Sequence, residues 1–142
     1  MPGKFRVLFI CTANAARSQM AEGLLRAKYG GRYEVFSAGT RQSTVSPCAI
    51  SVMKEIGIDI SHHRSKTLEE YRAVSFDLAV TLCDKAHAIC PIVPGARETI
   101  HHGFADPHLT PGTEDDVLNG YRKVRDEIAA WIDREFGSGV KK

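Results

Sequence analysis

The chain has 142 residues, 43% of them hydrophobic and 25% charged, with a formal net charge of +2. That balance excludes a disordered chain, and so small a net charge excludes nucleic acid as the main partner, so any attraction for anions has to be local. The length suits a single domain over residues 1–142, with enough chain to bury a sizeable core.

In chain order, Lys4 to Ile10 is rich in Val, Leu, Phe and Ile with little alternation. This is expected of a strand covered on both faces and central in a parallel sheet. The apolar run stops at Cys11. From Ser18 to Tyr29 a helix is expected, with Met20, Ala21, Leu24, Leu25 and Ala27 on one stripe and Gly30-Gly31 as its stop. Cys11 to Arg17 is then a tight strand-to-helix loop of C-x5-R pattern.

Such a loop suits an anion, because the first-turn amides of the helix lack intrahelical partners and the helix dipole is positive there. Small side chains at Thr12, Ala13, Ala15 and Ala16 let backbone N–H groups converge on a tetrahedral oxyanion. Asn14 is the better candidate for any left-handed turn, and Ala13 implies a negative φ. Arg17 supplies a planar fork for two oxygens. A helix N-terminus and a neighbouring arginine favour thiolate over thiol, so Cys11 is expected to be a nucleophile aimed at the bound anion, with the Ser18 hydroxyl hydrogen-bonding its sulfur. The plainer alternative is a small buried cysteine and a surface arginine; the strand before and the helix after favour the anion site.

Further along, Tyr33 to Ala38 reads as a second strand. Ser46-Pro47 opens a helix whose buried face is Ile50, Met53 and Ile56, with Cys48 incidental in its first turn. Ser61 to Lys66 is a polar loop in which His62 and His63 are expected to be solvated rather than to hold a metal. A short helix is expected over Thr67 to Tyr71. Asp77 to Leu82 and Glu98 to His102 are the third and fourth strands, the latter with His101 and His102 on opposite faces. Thr113 to Asp116 caps a last helix with Val117, Tyr121, Val124, Ile128, Ile132 and Phe136 at helical spacing and Trp131 at the edge of the sheet.

Strands alternating with helices give an α/β fold, a doubly wound four-stranded parallel sheet flanked by helices, with Cys11, Cys83 and Asp106 all at the carboxyl ends of strands, where ligands bind. No signal-type cleavage site and no stretch of transmembrane length is present, so a cytoplasmic protein without membrane contact is expected. In a reducing compartment four cysteines do not read as a disulfide framework.

Cys83 follows the third strand as Cys11 follows the first, and Cys90 comes seven residues later. Across a helix the pair would lie about 10 Å apart, whereas a disulfide needs Cα atoms about 4.4–6.8 Å apart, so forming one would require that segment to loop or unwind. On the residues alone three readings are open: two buried cysteines, a zinc site with His87 that lacks a good fourth ligand, and a redox relay from Cys11. Asp106-Pro107, after the fourth strand, can protonate a leaving oxygen or cap the following turn.

Together these segments resemble the thioredoxin-coupled arsenate reductases, which share the fold of low-molecular-weight protein tyrosine phosphatases. The resemblance rests on CTANAARSQMAEG (Cys11 to Gly23), FSAGT (Phe36 to Thr40), VTLCDKAHAICP (Val80 to Pro91), FADP (Phe104 to Pro107) and YRKVRDEI (Tyr121 to Ile128). It implies that arsenate binds the loop Thr12–Ser18, that Cys11 attacks arsenic with Arg17 holding the oxygens and Asp106 protonating the leaving one, and that Cys83 and then Cys90 carry the resulting disulfide outward to thioredoxin. No bound cofactor is implied, and a monomer is expected.

Relatives commonly have Gly where this chain has Ala13, and often Ser-Cys in place of Ala15-Ala16. Some hold a potassium ion near the loop with residues around Arg64 to Lys66. Two cations stand there in this chain, so no potassium site is expected and the Lys66 ammonium would take the ion's place. A phosphotyrosine phosphatase would need Cys11, Arg17 and Asp106 but neither Cys83 nor Cys90. His108 and Leu109 stand where phosphatases often carry ring-gripping tyrosines, which favours the reductase. A non-catalytic oxyanion sensor with a Cys83–Cys90 switch is the third reading.

Overall fold

A computed structural model describes residues 4–12, 14–41, 43–82, 93 and 95–137. The elements run β1 (Phe5–Cys11), α1 (Arg17–Tyr29), β2 (Tyr33–Gly39), α2 (Pro47–Lys54), β3 (Phe76–Thr81), β4 (Ala96–His101) and α3 (Glu114–Phe136), with 3-10 turns at Leu68–Tyr71 and Pro107–Leu109. The four strands are parallel and lie in the order β2-β1-β3-β4.

Strand β1 is central because its residues satisfy two cores at once. Val7 and Phe9 enter the larger one beneath all three α-helices, while Leu8 and Ile10 face a second with Ala38, Phe76 and Ala79. A strand buried on both faces leaves no position for a polar residue, hence the unbroken apolar run. Packed against the second core are Leu68 and Tyr71 of the first 3-10 turn, together with Phe36 and Val74.

Helix α2 starts at Pro47 under an N-cap from Ser46, whose Oγ accepts from the Ala49 amide. It ends at Lys54, so Ile56 falls beyond it and is 43% exposed instead of completing the buried face, which is formed by Ala49, Val52 and Met53. Ala27 is likewise exposed, on the outer side of the last turns of α1. Helix α3 begins with the full capping box of Thr113 and Asp116. Trp131 is buried and reaches from the edge of the sheet inward: it stacks on His102, just past the edge strand β4, at 5.0 Å between ring centroids and meets Phe9 of β1 at 6.2 Å. No helix among the described residues is long and apolar enough to cross a membrane.

Winding reverses between β1 and β3, and in open α/β sheets the crevice beyond the carboxyl ends of the strands at that point receives the ligand. Cys11 ends β1 there. Beside it, Leu82 donates its amide to the Ile10 carbonyl at 2.8 Å.

Candidate active site

The loop after β1 turns its carbonyls outward. Thr12 O accepts from the amides of Thr40 and Arg41 at 2.9 and 3.0 Å, Ala15 O from Ser46 at 2.8 Å and Ala16 O from Met20 at 2.8 Å. The amides of Asn14, Ala15 and Ala16, by contrast, enter no hydrogen bond among the described residues. Helix α1 follows with Ala16 as its N-cap residue, no side-chain cap and no acidic residue in its first turn. A positive helix end left uncapped and unneutralised is what an oxyanion requires.

Cys11 is 2% exposed, and its Sγ lies 2.9 Å from Ser18 Oγ. Asn14 adopts φ 50°, the left-handed conformation expected for it. Its side chain explains why asparagine can hold that conformation, since it is bonded at both ends. Nδ2 donates to Ser18 Oγ at 2.8 Å, and Oδ1 accepts from the Lys66 amide at 2.8 Å and from Gln19 Nε2 at 2.9 Å. Ser18 thus meets Cys11 on one side and Asn14 on the other. Ala13 lies outside the described residues.

A second layer sits behind the loop. Gln19 Nε2 also donates to the carbonyls of Asn14 and Arg64, at 3.1 and 2.9 Å, so Gln19 Oε1 accepts from His63 Nδ1 at 2.9 Å. His63 therefore carries its proton on Nδ1, with Nε2 3.4 Å from Arg26 Nη1. It is half-buried and bonded rather than solvated, because the chain runs inward here to pair with the end of β2: the Gly39 amide donates to Lys66 O at 2.8 Å. Burial holds the His63 imidazole below its ordinary pKa, with the nearby Glu22 charge opposing. Lys66 is 8% exposed and its Nζ donates to Arg64 O at 2.8 Å. Burial lowers its pKa too, again against Glu22. The Glu22 carboxylate accepts from Ser37 Oγ and pairs with Arg26 at 2.6 Å. The Arg64 side chain turns to solvent and pairs with Glu70.

On the opposite wall Arg17 reaches from the start of α1 to the loop after β4. It is 7% exposed; Nη1 donates to Phe104 O at 3.1 Å and Nη2 lies 3.7 Å from Asp106 Oδ2. Asp106 Oδ1 accepts from the His108 amide at 3.0 Å and so N-caps the 3-10 turn Pro107–Leu109. Both roles considered for Asp106 from sequence are compatible, each using one oxygen. Leu109 beside it is 66% exposed.

Cys11, Asn14, Arg17, Ser18 and Asp106 are thus brought to one end of the sheet, with Thr12, Ala15 and Ala16 in the loop wall. Cys83 and Cys90 lie outside the described residues. Cys48 is half-buried in the first turn of α2. Among the described residues no group of three His, Cys, Asp or Glu side chains could hold a metal. Sequence reasoning did not pick out Gln19, Ser37 or the Phe104 carbonyl, and it read Ser46 only as a helix cap. Each acts through a hydrogen bond between segments separated in the chain, for which periodicity and motif carry no signal.

Residues 6–134 match the family described as low molecular weight phosphotyrosine protein phosphatase. The arsenate reductase of Halalkalibacterium halodurans is 44% identical over 126 residues, covering 89% of this chain and 91% of that one. A solved structure described as an arsenate reductase in the phosphate binding state superposes with a TM-score of 0.80 at 30% identity, over 94% of this chain and 98% of the other. A Corynebacterium glutamicum thioredoxin-dependent arsenate reductase gives a TM-score of 0.69 at 29% identity, covering 95% of this chain and 61% of that chain.

Proposed function

Because this chain belongs to the low molecular weight phosphotyrosine protein phosphatase family, we propose that it reduces arsenate to arsenite by a three-cysteine relay fed by thioredoxin. The observation that carries the reading is the 44% identity to an arsenate reductase over 89% of the chain, supported by the convergence of Cys11, held against Ser18, and Arg17, held against Asp106, at one loop.

Arsenate, a tetrahedral oxyanion, binds the amides of Thr12 to Ser18 and the Arg17 fork. The Cys11 thiolate attacks arsenic, forming a sulfur–arsenic bond as an arsenic–oxygen bond breaks; Asp106 gives its proton to the departing hydroxyl, which leaves as water, and a thiol-arsenate adduct remains on Cys11. The Cys83 thiolate then attacks Cys11 sulfur. A Cys11–Cys83 disulfide forms, the sulfur–arsenic bond breaks and its electron pair stays on arsenic, now arsenite. Cys90 attacks Cys83 and frees Cys11; the Cys83–Cys90 disulfide takes two electrons from the thioredoxin dithiol. Leu82, the residue before Cys83 in sequence, donates its amide to the carbonyl of Ile10, the residue before Cys11.

The second reading, hydrolysis of aryl phosphates, uses the same Cys11, Arg17 and Asp106, and the family description favours it. Arsenate-dependent NADPH oxidation with thioredoxin and thioredoxin reductase separates the two. Wild type is expected to turn over many times, and Cys90→Ser at most once, trapping Cys11–Cys83 while any phosphatase side activity survives. Absence of wild-type turnover alongside good phosphotyrosine hydrolysis would make the protein a phosphatase. Full turnover by Cys90→Ser would remove the relay.

A further inference from the structure

Two walls of the site, the Cys11–Arg17 loop and the Asp106 loop, come from opposite ends of the chain, and both are fastened to one point on α3. Tyr121 is 1% exposed, and its hydroxyl accepts from Ser46 Oγ at 3.0 Å. Ser46 in turn donates its amide to Ala15 O at 2.8 Å, so Tyr121 reaches the loop through a single residue. Ser46 Oγ also accepts from the Ala49 amide at 3.3 Å, which fixes its rotamer and spends its hydrogen on Tyr121.

The neighbouring residue holds the other wall. A Cβ at Gly120 would meet Thr110 Oγ1 at 2.2 Å, so only glycine lets the segment after Asp106 lie this close to α3. Glycine inside a helix is less favourable than alanine, a cost that the helix alone gives no reason to bear. Thr110 is bound into the Asp106 turn, its Oγ1 donating to Pro107 O at 2.7 Å and its amide to the same carbonyl at 3.2 Å. Burial raises the Tyr121 pKa, the Ser46 hydrogen bond and the Arg17 charge opposing the shift and the Cys48 and Asp106 charges adding to it.

We propose that Gly120 and Tyr121 are positioning residues: a two-residue node on α3 that sets the distance between the Asp106 carboxyl and the anion loop, and so the efficiency of proton transfer to the leaving oxygen. The node rests on the reading of Asp106 as the acid in the reaction above. Its effect falls on proton transfer more than on anion binding, because Arg17 and the loop amides are also held by α1 and by the Asn14 bonds, and only Ala15 O is tied to the node through Ser46.

Tyr121→Phe removes one oxygen and leaves the ring in the core. The expected result is a roughly 3- to 30-fold lower rate of arsenite formation in a single turnover at saturating arsenate, since small misplacements of an acid are expensive. The inhibition constant of inorganic phosphate should stay within about two-fold, as most of the groups that hold the anion are anchored independently of the node. In an Asp106→Asn background the same substitution should change the rate less than about two-fold, because the group it positions is gone. Gly120→Ala should show the same pattern by displacing Thr110, and it serves if Tyr121→Phe does not fold. An unchanged rate in Tyr121→Phe, or an equal loss with and without Asp106, overturns the node. A wild type that hydrolyses p-nitrophenyl phosphate without reducing arsenate overturns the reductase instead, and the same comparison made on hydrolysis then decides the node.

Discussion

Asp106 divides its carboxylate between two tasks: Oδ1 accepts from the His108 amide at 3.0 Å while Oδ2 faces Arg17 Nη2 at 3.7 Å. The capping oxygen holds the loop, and the other is left to the site.

Asp106→Asn tests that division. An amide oxygen can still cap the turn, so folding should survive, but the group no longer carries an acidic proton. Adduct formation should slow by about 10²- to 10⁴-fold, the usual worth of a positioned acid, with arsenate affinity little changed. Single-turnover arsenite formation and phosphate inhibition give the two quantities. A pure loss of affinity would remove Asp106 from the acid role.

Much of this was legible in the sequence because it follows from local rules. The unbroken apolar run Val7 to Ile10 announced a strand buried on two faces, and Ser46-Pro47 and Thr113–Asp116 announced two helix starts. The left-handed position fell on Asn14 because alanine cannot readily take it and asparagine can. What escaped depends on tertiary register. His63 reads as one of two polar loop histidines until the pairing of Lys66 with Gly39 draws its segment inward. Trp131 reads as an edge residue, and it does stack on His102 beside β4, but its reach to Phe9 of β1 is not visible in the helical pattern. Tyr121 reads as one more apolar position of α3, since the pattern records burial but not what a hydroxyl touches.

Lys66 bears on cation dependence. Its ammonium donates to Arg64 O at 2.8 Å; burial lowers its pKa, and the Glu22 charge opposes that shift. A fixed ammonium there should make a soluble cation superfluous. Melting temperature and arsenate turnover should be equal in potassium and sodium chloride at matched ionic strength. Lys66→Ala should lower stability by leaving the Arg64 carbonyl without its donor, and added potassium should recover part of the loss. A wild type that needs potassium would contradict this account.

His63 carries a prediction in pH. Its folded-state pKa is held below the ordinary value near 6.5, chiefly by burial. In the window below about pH 6.5 the unfolded chain therefore binds the proton more readily, and stability falls as pH drops through that window. Protonation would also place a cation on Nε2 facing Arg26 Nη1 at 3.4 Å. His102, also held down chiefly by burial, contributes in the same sense. His63→Gln can keep the bond to Gln19 without titrating, so its melting temperature should fall less between pH 6.5 and 5 than that of wild type. Parallel curves for the two proteins would mean that His63 titrates alike in both states.

Asn14 combines a left-handed backbone with a side chain that ties the loop to Ser18, Gln19 and the Lys66 amide. Two substitutions separate these contributions. Asn14→Gly loses the hydrogen bonds but takes φ 50° without strain, whereas Asn14→Ala loses the bonds and also forces a Cβ into the left-handed region, at about 1–2 kcal/mol. Each should be destabilised by about 1–3 kcal/mol for the buried groups left unpaired. The alanine variant should be the weaker of the two, because the left-handed strain outweighs the usual stabilising effect of Gly→Ala through the unfolded chain, about 0.4–1 kcal/mol. Urea unfolding reads this as a lower midpoint for alanine than for glycine at constant m-value. The opposite order would mean that residue 14 relaxes out of the left-handed region once its side chain is gone. The convergence of loop amides would then be a property of the Asn14 bonds and not of the backbone alone.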